Sequence, residues 1–245
     1  MKPLTSRILT PALWLATAMA VGGCIKDDDV EPDVDTVRKG VVSGRALDAA
    51  GKPLPNVKIV VNNTQFYNHN LLGKTDDNGQ YSLPLTPGSW YVRGTVKTEF
   101  DDKTYVLDLH PDQDAAFAGS DGAVRNLTLK ASGERTGEFG NDGYYGGQVE
   151  VFTWGLDAEE VTLTLEPVGG LIDGSAGKNI VAKPDRMYIN DVPLGKYIVT
   201  ARLGNQPLRV RVRNANQAYG NSATASFDPA YPGAEGRYKL NIEVE

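Results

Sequence analysis

The sequence predicts an all-β protein: two consecutive antiparallel β-sandwich domains behind a secretory leader and an acidic linker. Three observations carry this. Apolar runs of strand length, rich in β-branched and aromatic residues, recur along the chain, each bounded by Gly, Pro, Asn or Asp. No stretch after the leader has the period of an amphipathic helix, and Ala158-Glu159-Glu160 makes at most one turn. A short motif also appears twice. Residues 83–92 and 191–200 each run from an apolar residue through Pro and Gly to an aromatic two residues on, which suggests two sandwiches of similar topology. The length beyond the leader suits two such domains better than one.

The chain opens with Lys2 and Arg7, then an apolar run over residues 8–21, then Gly22-Gly23-Cys24. A basic start, a short apolar segment and small residues before a cleavage point make residues 1–23 a secretory signal. The apolar run is shorter than the ~20 residues a spanning helix needs. Small residues directly before a lone cysteine resemble a bacterial lipobox, which implies that Cys24 is the lipidated first residue. Cys24 is the only cysteine, so no disulfide can form within one chain. Acyl chains there would hold the protein to a membrane, each buried methylene contributing ~0.8 kcal/mol. The expected location is therefore the bacterial outer membrane or cell surface. Residues 24–39, rich in Asp, Glu, Pro and Val, read as a flexible tether. Its start, Ile25-Lys26-Asp27-Asp28-Asp29, resembles the surface-export signal of Bacteroidetes lipoproteins and equally suits a solvated acidic spacer.

The first sandwich is expected over residues 40–131. Val41-Val42-Ser43-Gly44-Arg45-Ala46-Leu47-Asp48 reads as a strand, followed by a turn held extended by Pro53 and Pro55 and a second strand, Val57-Lys58-Ile59-Val60-Val61. Asn78-Gly79 has the chemistry of a tight hairpin turn. The order of Gly44, Asp48, Gly51, Pro53, Leu54 and Val57, then Thr75, Asp76, Gly79 and Tyr81, then Pro87, Gly88 and Trp90, resembles the carboxypeptidase regulatory-like domain. That resemblance implies a transthyretin-like sandwich and a scaffold with no catalysis of its own. Two departures stand out: Asn56 replaces a small residue, and residues 62–74 form a longer connection than the family uses. That connection is read as a surface loop carrying Phe66 and Tyr67.

Between Asp108 and Gly122 lies an acidic loop. Asp108, His110, Asp112, Asp114 and Asp121 are the densest set of potential metal ligands, but their spacing does not fit a twelve-residue calcium loop, and a solvated loop reads first. Residues 132–147 are Gly-rich with no period and read as the connection between domains. Phe139, Tyr144 and Tyr145 there suit either an exposed platform or a cover for the seam, with the seam preferred. The second sandwich is expected over residues 148–245. In it, Leu208-Arg209-Val210-Arg211-Val212-Arg213 puts three arginines on one strand face. They form either an anionic-ligand stripe or a solvent face paired with acidic neighbours.

The chemistry is sparse. The two histidines, His69 and His110, both fall in the first sandwich, and no nucleophile elbow, zinc helix or phosphate loop appears. No cofactor or metal is implied, and no enzyme is expected. With 31 acidic against 25 basic residues, nucleic acid is a poor partner. Two functions remain: a structural, assembly or protein-interaction lipoprotein docking an outer-membrane protein, or a module that captures a surface polysaccharide. The residues expected to touch a ligand are Phe66, Tyr67 and Trp154 by stacking, with Arg209, Arg211 and Arg213 for anionic groups.

Overall fold

Alternation in Val161-Thr162-Leu163-Thr164-Leu165 sends successive side chains to opposite faces. Val161, Leu163 and Leu165 are accordingly fully buried and the threonines between them half-buried. The same logic builds the whole of the computed structural model, which describes residues 33–245. The predicted signal, Cys24 and most of the tether lie outside the described residues.

The strands form two groups. The first holds β1 (Val41–Leu47), β2 (Lys58–Asn63), β3 (Asn70–Lys74), β4 (Gln80–Pro84), β5 (Ser89–Phe100), β6 (Lys103–Asp108), β7 (His110–Pro111), β8 (Phe117–Ala118), β9 (Ala123–Val124) and β10 (Leu127–Thr128). The second holds β11 (Gly147–Thr153), β12 (Val161–Pro167), β13 (Ile180–Ala182), β14 (Tyr188–Val192), β15 (Lys196–Leu203), β16 (Gln206–Leu208), β17 (Val210–Val212), β18 (Ala223–Ser226), β19 (Asp228–Pro229) and β20 (Tyr238–Val244). The protein is all-β, with only two short 3-10 turns, Glu138–Gly140 and Ala158–Glu160, among the described residues.

Each group makes two sheets, and the two groups share one wiring. In the first, the orders are β4-β1-β10-β7 and β3-β2-β5-β6, with β9 added to β1 and β8 to β5. In the second they are β14-β11-β20-β17 and β13-β12-β15-β16, with β18 added to β15 and β19 to β20. Most pairs are antiparallel, but the last strand of each group returns parallel to the first: β9 and β10 to β1, and β20 to β11. The repeated motif marks the same place in each. Trp90 donates its indole N–H to the Thr86 carbonyl at 3.0 Å, and Tyr197 donates its hydroxyl to the Pro193 carbonyl at 2.8 Å. Both rings are essentially fully buried. Each is a large apolar body whose one polar group is satisfied by the backbone four residues back.

Two sequence expectations change. Asn78-Gly79 does not close a hairpin, because β3 and β4 belong to different sheets. Only Gly79 is left-handed, at φ 70°, and the Asp76 carboxylate caps the turn by accepting from the N–H groups of Asn78 and Gln80. Residues 62–74 are not one long loop. Their second half is the edge strand β3, paired to β2 from Lys58↔Lys74 to Asn62↔Asn70. Leu71 supplied the apolar residue, but Asn, Gly and Lys around it hid the alternation.

The two groups meet in a polar joint within one compact unit. The Tyr105 hydroxyl donates to the Phe227 carbonyl at 2.7 Å, and the Tyr238 hydroxyl accepts from the Val106 N–H at 2.7 Å. Asp173, 6% exposed, accepts from the Ala131 N–H at 2.9 Å, and the Ala131 carbonyl accepts from the Leu194 N–H. Lys103 pairs with Asp228 and Lys196 with Asp101 around this joint.

Candidate functional site

Phe66 and Tyr67 sit in the turn between β2 and β3, 65% and 103% exposed. The Asn63 carboxamide oxygen holds that turn, accepting from the N–H groups of Gln65 and Phe66. Behind it, Phe66 meets His69 edge-on at 6.3 Å, and His69 packs against Trp90. Trp154 lies in the turn after β11, 72% exposed. Among the described residues no ring contact joins it to Phe66 or Tyr67.

The arginine strand is largely spent on its own sheet. Arg211 pairs with Glu243 at 2.6 Å across β17–β20, and Arg209 pairs with Glu245 at 3.0 Å and donates to the Tyr219 carbonyl. Arg213 lies over the Phe152 ring with its guanidinium carbon 3.4 Å from the centroid. Cross-strand pairing of this kind is the solvent-face arrangement.

The acidic loop is also dispersed. Asp114 is buried against the guanidinium of Arg93 and the hydroxyl of Thr136, while Asp108 pairs with Arg135 at 2.8 Å. Asp121 accepts from the Ser120 hydroxyl. No three His, Cys, Asp or Glu side chains converge as a metal site among the described residues. The His110 imidazole is pushed below its ordinary value, mainly by burial and then by Lys130, and its Nδ1 is buried without a partner.

The Gly-rich connection sets Phe139 and Tyr145 against the first group and bonds to Asp191 of the second through Gly133 and Gly146. Phe139, at φ 48°, stacks on Tyr91 with centroids 4.2 Å apart, and Tyr145 is buried beneath the Arg135 guanidinium. Tyr144 turns outward, 47% exposed. There it joins a feature that sequence reasoning missed, a cleft of about 640 Å³ where the connection, the start of β11, the β14 end and the loop before β20 meet. Its volume falls within the roughly 300–1,000 Å³ of small-molecule sites. Tyr144 and Tyr231 (59% exposed) line it. Asp108, Asp142, Asp191 and Glu235 supply carboxylates, and Arg135, Arg237 and Lys239 supply cations.

Several of these groups are already engaged. Arg135 donates to Asp108, to the Asn141 carboxamide and to the Tyr144 carbonyl. Asp191, left-handed at φ 54°, accepts from the N–H groups of Gly133 and Gly146. Lys239 pairs with Glu150 at 3.2 Å. The buried Tyr238 phenol, raised above its ordinary value chiefly by burial, is held by Val106. The walls are thus fixed before any ligand arrives. No local motif announces this cleft, because its residues come from four separate stretches. The nearest sequence signal was the aromatic content of residues 139–145.

No protein-family model matches the chain, and no curated protein matches it. Among solved structures the chain is similar to the Bacillus anthracis TIE protein at 15% identity and TM-score 0.32, over 84% of this chain and 34% of that one. It therefore spans about a third of that relative's length. It is also similar to a Pseudomonas aeruginosa protein titled a putative carbohydrate binding protein, at 16% identity and TM-score 0.23, over 39% of this chain and 92% of that one. A third likeness is to the major pilin subunit of Bacillus cereus, at 10% identity and TM-score 0.26, over 85% and 99%. Likenesses this distant leave function to the geometry of the chain itself.

Proposed function

We propose that this protein is a non-enzymatic lipoprotein anchored through Cys24 at the bacterial outer membrane or cell surface, where it acts as a structural, assembly or protein-interaction module. In this reading the first sandwich is a carboxypeptidase regulatory-like domain. One observation carries the interaction role. β3 and β13 are the terminal strands of equivalent sheets, and each exposes an aliphatic side chain at its middle, Leu72 at 66% and Val181 at 60%. An open strand edge with an exposed aliphatic residue is the surface on which a partner adds a strand. A non-enzymatic role suits the carboxylates of the acidic loop and joint, since Asp101, Asp108 and Asp114 are each tied to a cation.

The test is a pull-down of the full lipidated chain from detergent-solubilised membranes, read by mass spectrometry. A stoichiometric membrane protein, lost in Leu72→Lys or Val181→Lys, supports the reading; recovery unchanged in both variants removes the edges from it. A Cys24→Ala chain that still fractionates with membranes would overturn the anchor. A second reading, capture of a surface polysaccharide, is favoured by a separate observation, the cleft at the seam.

A further inference from the structure

We infer that the seam cleft binds a neutral oligosaccharide, with Tyr144 and Tyr231 as stacking faces and Asp142, Glu235 and Arg237 as hydroxyl partners; this rests on the second of the two readings above. A pyranose ring presents an apolar C–H face and a polar edge. A site for it needs aromatic surface beside mixed donors and acceptors, and the cleft brings these together. Tyr144 and Tyr231 reach it from separate stretches of the sequence, one from the connection and one from the loop before β20. Both keep much of their ring in water, and covering that apolar surface favours binding.

The charges select the class of sugar. Of the three basic groups, Arg135 is spent on Asp108 and Lys239 on Glu150. Asp191 is spent on backbone N–H groups. What remains for a ligand is the Arg237 guanidinium together with the Asp142 and Glu235 carboxylates, which all line the cleft and have no side-chain hydrogen bond or ion pair among the described residues. Carboxylates accept from hydroxyls, the guanidinium donates to them, and the excess of negative charge repels uronic acid or phosphate. The Arg135 and Asp191 anchors hold the connection against both walls, so the ordering that opposes binding falls mainly on the side chains that touch the sugar.

The experiment is calorimetric titration of the full chain with maltohexaose, cellohexaose, mannohexaose, xylohexaose and chitohexaose, and with polygalacturonate as the acidic probe. At least one neutral probe is expected to bind with a Kd below about 1 mM. Tyr144→Ala and Tyr231→Ala should each weaken it at least tenfold with circular dichroism unchanged, while Phe66→Ala and Trp154→Ala leave it intact. Asp142→Asn and Glu235→Gln, which keep shape and remove charge, should weaken the neutral probe and strengthen polygalacturonate. Preference of the unaltered chain for polygalacturonate would overturn the neutral-sugar inference and leave polysaccharide capture standing. Neutral binding lost in Phe66→Ala or Trp154→Ala but kept in both tyrosine variants would move the site out of the cleft. Binding of no probe at all would end both the inference and the capture reading.

Discussion

The two strand groups share one wiring but close their main sheet differently. In the second, β20 runs parallel to β11 as an unbroken ladder from Gln148↔Lys239 to Thr153↔Val244. In the first, the returning strand is split into β9 and β10 around Arg125-Asn126. At the break the Asn126 carboxamide accepts the Arg45 N–H, and the Arg125 carbonyl accepts both the Tyr81 hydroxyl and a close approach from Gly44. Any Cβ on Gly44 would run into that carbonyl. The inward positions of β11 carry Val149 and Val151, both buried against a continuous neighbour. A regular ladder thus tolerates a branched side chain where the interrupted one requires glycine. One topology can be built with either, provided the backbone groups freed by the break find side-chain partners.

The largest expected effect tests whether the two groups unfold together. Trp90→Ala and Tyr197→Ala each empty an equivalent buried site and should cost about 3–5 kcal/mol. In urea denaturation both should shift one shared transition; two separate transitions would show that the joint does not couple them. Next comes Gly44→Ala, expected to cost about 3 kcal/mol or more because its neighbour is backbone and cannot rotate away. If a stability measurement finds it as mild as Val149→Ala, the account of the split strand is wrong.

The joint is tested by Tyr105→Phe. It removes one hydroxyl, leaves the Phe227 carbonyl with only the longer 3.4 Å bond from the Lys103 ammonium, and should cost about 1–2 kcal/mol. An unchanged midpoint would mean that water replaces the bond.

The smallest effect concerns pH. Burial lowers the folded pKa of His110 below its ordinary 6.5, so the unfolded chain binds more protons just below that pH. The contribution is full above about pH 6.5 and is lost as pH falls through that value toward the lower folded pKa. Lys130 opposes protonation, while Asp112 and Asp114 partly favour it. The second group has no histidine. His110→Gln should therefore flatten the Tm difference between pH 7.5 and 5.5, and a slope unchanged by that variant would place the acid sensitivity elsewhere.

Much of the fold was legible because it is written in local alternation. The all-β class, the strands around residues 41–47, 58–61 and 161–165, and the equivalence of Trp90 and Tyr197 all follow from apolar periodicity and a short Pro-Gly-aromatic motif. Edge strand β3 was not legible, since a half-exposed five-residue strand with Asn, Gly and Lys carries almost no pattern. The Asn78-Gly79 turn was misjudged because turn chemistry sets a chain reversal and says nothing about which sheet the next strand joins. The arginine alternation in residues 209–213 was visible, but its ion pairs with Glu243 and Glu245 depend on the register of β17 against β20.

The amino-acid sequence by itself determined the regularly alternating strands, which of their residues face inward and that the chain holds two related units, because these depend on neighbours two to four positions away. Only the tertiary structure decided that β9 and β10 return parallel to β1, that Asp173 and Tyr238 bind across the joint, and that Tyr144 and Tyr231 share a cleft. Those outcomes bring together residues up to a hundred or more positions apart, such as Val106 and Tyr238. Their meeting is selected by the packing of whole sheets, which no local window of sequence contains.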